Sequence, residues 1–171
     1  PPAAIGMPLR CAEPPAIAGL PRATDRRGIR VRYALAAARE LLMRIANQDL
    51  IGRSTLNAPS LVKSFLAVKF AAAEHETFVV IFLDAQLRVI GTEEMFRGTV
   101  TQTSVYPREV VKEALARNAA AVILAHNHPS GVAEPSRADE YLTQTLKSAL
   151  SLVGVNVLDH LVVAGDGCIS M

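Results

Sequence analysis

The sequence predicts an α/β protein: a three-layer α/β/α sandwich around a mixed sheet. Three observations predict it. Phe78–Leu83 and Ala119–Ala125 are short continuous apolar runs, which read as strands buried on both faces. Residues 107–117 and 136–153 carry apolar positions at helical spacing and alternate with those strands. A last apolar run, 155–164, follows the second of these helices, and strands that alternate with helices stack them on both faces of one sheet.

Taken in order, residues 1–30 are rich in Pro, Ala, Gly and Arg without periodicity. They read as a linker or the remnant of something longer, leaving 31–171 as the domain with its leading helices. A helix is expected from Val31 to about Asn47 and a second from Ser60 to about Phe70, with Leu61, Phe65 and Val68 on one face. The strand at Phe78 ends at Asp84, with a hairpin partner expected at Gln86–Thr92 and a further strand at Arg97–Thr103. Pro107 opens the next helix at the position where its missing N–H costs nothing, and Val110, Val111, Ala114 and Leu115 form the apolar stripe. The helix from Ser136 presents Leu142, Leu146, Leu150 and Val153, with Gly154 after it as a terminator. The strand at 155–164 runs into a turn at Gly165-Asp166-Gly167.

With 171 residues, half of them apolar, the chain supports one sizeable core and excludes a disordered tail. Without Trp, that core is built mostly from Leu, Val, Ile and Ala. The net charge of +2 hides a segregation. Residues 1–53 hold nine Arg and no Lys against Glu13, Asp25, Glu40 and Asp49, giving +5, and the remainder gives −3. A basic arm on a slightly acidic body fits either non-specific DNA binding or a solvated arginine-rich linker. Cys11 and Cys168 form no C-x-x-C pair or disulfide framework, as expected of reduced thiols in a cytoplasmic protein. No run is long and apolar enough for a membrane span, and no secretory signal pattern opens the chain.

The chemistry concentrates at Ala125-His126-Asn127-His128-Pro129-Ser130-Gly131 and Ser136-Arg137-Ala138-Asp139. Alternate residues of a strand point to one side, so His126 and His128 can face a common point. Pro129 and Gly131 turn the chain, and the next helix returns Asp139 in its first turn. Two imidazoles and one carboxylate suit one Zn2+ ion and leave a fourth position for water, the catalytic pattern. Zinc lowers the pKa of its water to about 7. Each half has a plainer reading: a lone His-x-His is weak evidence, and Ser136-x-x-Asp139 is also a helix-capping box.

These residues carry a resemblance. His-x-His-Pro-x-Gly, with ten residues from Pro129 to Ala138 before Asp139, is similar to the JAMM (MPN-type) zinc metalloprotease signature. Phe96-Arg97-Gly98-Thr99, Tyr106-Pro107-Arg108-Glu109, Asn118-Ala119 and Leu158-Asp159-His160 extend it to the bacterial RadC-type branch, over roughly residues 32–170. The resemblance implies the JAMM fold, similar to the cytidine deaminase sandwich, with His126, His128 and Asp139 as ligands of one zinc. It implies an acid/base Glu on an earlier strand, best matched by Glu76, with Glu74 as competitor two residues away. It also implies Ser136 as the donor that stabilises the oxyanion. His75 reads as an exposed neighbour. Asp159-His160 reads either as a buried, satisfied pair or as support behind the ligands. Arg108-Glu109 reads as a local ion pair.

RadC-type proteins also carry an N-terminal helix-hairpin-helix, whose Gly-hydrophobic-Gly turn lets amides approach a phosphate. Here Gly28-Ile29 is followed by Arg30, which reads as a truncated remnant of that element. The leading expectation is therefore a metallopeptidase or isopeptidase acting on a peptide or isopeptide substrate. The alternative is a DNA-repair accessory that uses the fold as a scaffold. A two-metal nuclease lacks carboxylates for its second ion, and a zinc deaminase lacks the H-x-E and P-C-x-x-C pattern.

Overall fold

A run of β-branched and aromatic side chains is best satisfied as a strand covered on both faces. The computed structural model describes residues 26–55, 59–71, 73–98, 105–165 and 167–171, and Thr77–Leu83 is such a strand, β1, buried along its whole length. The other elements are α1 (Arg26–Leu50), α2 (Pro59–Phe70), β2 (Val89–Arg97), α3 (Pro107–Ala116), β3 (Ala121–Asn127), α4 (Arg137–Ser151), β4 (Asn156–Ala164) and β5 (Gly167–Ser170). They form an α/β fold with a mixed five-stranded sheet in the order β2-β1-β3-β4-β5. β3 and β4 are parallel, joined through α4, and every other neighbouring pair is antiparallel.

By its contacts the chain divides into two units, residues 1–40 and 41–171. The described part of the first is the opening stretch of α1, Arg26–Glu40. The boundary expected at residue 30 lies inside this helix.

In the second unit the sheet separates two cores, because alternate strand residues face opposite ways. On one face Leu50, Val62, Phe65, Leu66 and Phe70 pack on Val79, Ile81, Leu83, Ile123 and Ala125. On the other, Val110 and Ala114 of α3 and Leu146 and Leu150 of α4 pack on Phe78, Val80, Phe82, Val122 and Leu124. Each fully buried Leu, Ile, Val or Phe contributes roughly 1.5–3 kcal/mol. This is the expected three-layer arrangement.

Two expectations are corrected. The strand placed at 86–92 is β2, which starts later, at Val89, and runs on through Arg97. The reason is the turn before it. The Asp84 carboxylate accepts from the backbone N–H groups of Gln86 and Arg88, both at 2.9 Å, and Leu87 takes a left-handed φ of 58°. That consumes residues 84–88 and lets β2 pair with all of β1, from Leu83↔Val89 to Thr77↔Arg97, across two bulges. Residues 99–103 of the second expected strand lie outside the described residues. The other correction is β5, a four-residue edge strand paired to β4 and too short to show a periodicity. Among the described residues, no helix is long and apolar enough to cross a membrane.

Candidate metal centre

The site grows from the end of β3. Strand alternation places His126 on the face that packs against α4 and turns Asn127 the other way. His128 follows β3 and is anchored by its own N–H to Val163 O at 2.8 Å. A tight turn then reverses the chain, closed by Gly131 N–H to His128 O at 3.1 Å, with Gly131 at φ 83°, where a side chain would be strained. The chain re-enters as α4, whose N-cap is Ser136. The expected capping box forms: Ser136 Oγ accepts from Asp139 N–H at 3.2 Å, and the Asp139 carboxylate accepts from Ser136 N–H at 2.7 Å.

His126, His128 and Asp139 converge as the sequence predicts. His126 Nε2 lies 2.9 Å from His128 Nε2 and 3.3 Å from Asp139 Oδ1, and His128 Nε2 lies 3.5 Å from Asp139 Oδ2. Among the described residues this is the one group of His, Cys, Asp or Glu able to share an ion, its ligand atoms all within 4.8 Å of one another. Donors about 2.0–2.1 Å from a tetrahedral zinc stand about 3.3 Å apart. The two contacts to the carboxylate match that spacing, and the imidazole pair needs to open by only a few tenths of an ångström.

The protons on the rings decide what these atoms can do. His128 Nδ1 lies 2.7 Å from Val132 O, a carbonyl that can only accept, so Nδ1 carries a proton and in the neutral ring Nε2 is the lone pair. Behind the site, His126 Nδ1 lies 2.9 Å from His160 Nε2, and His160 Nδ1 lies 2.6 Å from Thr143 Oγ1. Burial pulls the pKa of His160 down to about 3, reinforced by the neighbouring His126 and opposed by the Asp139 carboxylate, so His160 is neutral. Burial pushes the Asp139 carboxyl upward. The hydrogen bonds donated by the Ser136 hydroxyl and N–H act the other way and favour the carboxylate.

Of the two readings of Asp159-His160, the geometry supports the one behind the ligands, and the pair is split. His160 is fully buried against His126, with ring centroids 4.9 Å apart. Asp159 caps its own neighbourhood, accepting from His160 N–H at 2.8 Å and Ser170 Oγ at 2.7 Å. Thr143 was missed. Its signal is the helical repeat, because residue 143 lies one turn after Asp139 on the same face.

Glu76 precedes β1 with the parity of Phe78, which is paired with His126, so it belongs to the face that carries the histidines. It is half-buried, and the chain from His75 to Thr77 is tied at three points. Gly98 N–H donates to Glu76 O at 2.8 Å, Thr77 N–H donates to Asn127 Oδ1 at 2.8 Å, and Asn127 Nδ2 donates to His75 O at 3.0 Å. Glu74 is exposed in the preceding bend. His75, also half-buried, is outside the ligand set. The Ser136 hydroxyl gives its proton to Asp139 Oδ2 at 2.6 Å, which braces the carboxylate. Arg108 and Glu109 form the expected local pair at 2.9 Å, with Arg108 exposed.

The comparisons with known proteins agree with this architecture. A family model described as a RadC-like JAB domain matches residues 56–171. The chain belongs to the RadC-like JAB domain family. It is 57% identical over 139 residues to a UPF0758 protein of Leptothrix cholodnii, covering 81% of this chain and 63% of that one. It is 58% identical over 132 residues to a UPF0758 protein of Dechloromonas aromatica, covering 77% and 58%. A UPF0758 protein of Polaromonas is 56% identical over 140 residues, covering 82% and 62%. The chain therefore spans about three fifths of the length of the curated relatives it matches. The match to the RadC-like JAB domain begins at residue 56 and takes in every residue of the candidate centre.

Proposed function

We propose that this RadC-like JAB domain is a zinc-dependent hydrolase of amide bonds, with a peptide or isopeptide as substrate. One observation carries the reading. His126 Nε2 and His128 Nε2 meet at 2.9 Å, with the Asp139 carboxylate oxygens 3.3 and 3.5 Å from them. Two imidazole nitrogens and a carboxylate drawn to one point are the donor set a shared cation requires. The nitrogen and oxygen donors, three in number, fit zinc with a position left over.

A zinc ion held by His126, His128 and Asp139 supplies Lewis acidity toward water and a scissile carbonyl. The protein supplies the rest. The Glu76 carboxylate takes a proton from the attacking water and returns it to the leaving amine. Ser136 holds Asp139 in place through its hydroxyl and N–H. The same hydroxyl, once rotated off Asp139, is the donor for the developing oxyanion. A cleft of mixed polarity, lined by Phe70, Ala71, Ala73, Asn127 and Pro129, opens beside His128 and offers a place for a substrate side chain.

The test is metal analysis of protein purified without chelator, paired with hydrolysis of peptide and isopeptide libraries. About one zinc per chain is expected in the wild type and none in His128→Ala. A wild type that takes up no zinc, even on titration, would end this reading. A second reading, a DNA-repair accessory, draws its support from the +5 charge of residues 1–53. A DNA affinity that falls steeply with salt and survives deletion of residues 1–32 would favour it.

A further inference from the structure

We infer that Thr143 and His160 are positioning residues that lock His126 in the tautomer a metal requires. The inference rests on the metal-centre reading above, but its first test does not need the metal.

Both residues lie at the buried back of the site, with no water-exposed surface to satisfy them. Thr143 Oγ1 lies 2.6 Å from Asp139 O, one turn back on α4, and 2.6 Å from His160 Nδ1. A hydroxyl has one proton, and a carbonyl only accepts. The Thr143 proton therefore goes to Asp139 O, and Thr143 Oγ1 must accept from His160. That places the His160 proton on Nδ1 and leaves its Nε2 as an acceptor. His126 Nδ1, 2.9 Å away, must then carry the proton that fills it. In the neutral ring His126 Nε2 is then the lone pair, directed at His128 and Asp139.

The opposite sense of the chain fails at its origin. If Thr143 donated to His160, its oxygen and the Asp139 carbonyl oxygen would face each other at 2.6 Å with no proton between them. In the favoured sense the close approach lies instead between the two Nε2 atoms, where a cation resolves it. One backbone carbonyl of α4 thus sets the ring state of His126, three hydrogen bonds away. Asp139 contributes twice, its carboxylate facing the ligand cluster and its carbonyl fixing the other ligand's ring.

The experiment is a two-bond 1H–15N spectrum of the imidazoles at about pH 8, recorded on metal-free protein. The wild type is expected to show His160 protonated at Nδ1. Thr143→Val, nearly isosteric, is expected to show a mixture or the Nε2 form, and Thr143→Ser to restore the wild-type pattern. Zinc affinity measured by chelator competition should fall about 10- to 100-fold in Thr143→Val and recover in Thr143→Ser, the usual cost of losing a partner behind a ligand. A wild-type His160 protonated at Nε2, or Thr143→Val with unchanged tautomer and unchanged affinity, would overturn the inference. If no variant binds zinc, the metal reading fails while the His160 spectrum still decides this one.

Discussion

The side-chain carbonyl of Asn127 accepts the backbone N–H of Thr77 at 2.8 Å, while its amide donates to His75 O at 3.0 Å. The middle residue of His-x-His therefore clasps the chain on both sides of Glu76. Strand alternation makes this possible: His126 and His128 serve the metal face, and the residue between them reaches across to β1. Asn127→Ala removes both bonds and leaves the buried Thr77 N–H without a partner, a loss of about 1–3 kcal/mol. Chemical denaturation should show that loss. Because Glu76 would no longer be held, kcat should fall while zinc stoichiometry stays at one, and unchanged kcat would break the link between Asn127 and Glu76.

The acid/base assignment separates Glu76 from Glu74. Glu76 is half-buried with its backbone tied, whereas Glu74 is exposed in a bend. Glu76→Gln keeps the shape and loses the ability to move a proton, so kcat should fall at least 100-fold with zinc retained. Glu74→Gln should lie within twofold of wild type. Retained turnover in Glu76→Gln would transfer the role to Glu74.

The candidate centre was legible because two local patterns, strand alternation and the helix start that follows, determine where three side chains point. The positions of His160 and Asn127 were not legible in that way. His160 meets His126 only because β4 lies parallel beside β3, a pairing that no local repeat encodes. Asn127 reaches Thr77 through the antiparallel pairing of β1 and β3. The fold class followed from the buried runs of β1 and β3. The extent of β2 did not, because Asp84 and a left-handed Leu87 shape the turn before it, and Leu carries no signal for positive φ.

Ser136 is bound to Asp139 by three hydrogen bonds, two through its hydroxyl and one through its N–H. Ser136→Ala removes the two hydroxyl bonds and should cost about 1 kcal/mol of stability as a lost N-cap. It should also weaken zinc binding, since Asp139 loses its brace, and reduce kcat about 10²-fold if the hydroxyl also serves the oxyanion. Ser136→Thr keeps the cap and should recover the stability. A kcat close to wild type in Ser136→Ala would confine the residue to capping.

Asn118 ends α3 at φ 52°, and the chain closes behind it through Ala119 N–H to Ala114 O at 2.9 Å. Asn tolerates the left-handed region better than most residues, and Gly does so without strain. Asn118→Ala should therefore destabilise by about 1 kcal/mol, while Asn118→Gly should be neutral within a few tenths. Neither change should alter zinc affinity, so denaturation midpoints and zinc titrations read separate properties. Equal stability of the two variants would show that backbone conformation is not what selects Asn there.

Zinc should also act on stability, because its ligands come together only in the fold. A ligand that binds the native state alone stabilises it by about 2.7 kcal/mol at 100 times Kd. For a chain of 171 residues that corresponds to roughly 5–10 °C in Tm. Calorimetry of metal-free protein titrated with zinc should show this rise in the wild type and lose it in His126→Ala and Asp139→Asn. Glu76→Gln should keep it in full, since Glu76 is assigned to moving protons and not to holding the ion. A wild-type Tm indifferent to zinc would mean that the three donors do not bind it as a unit, whatever the activity of the protein.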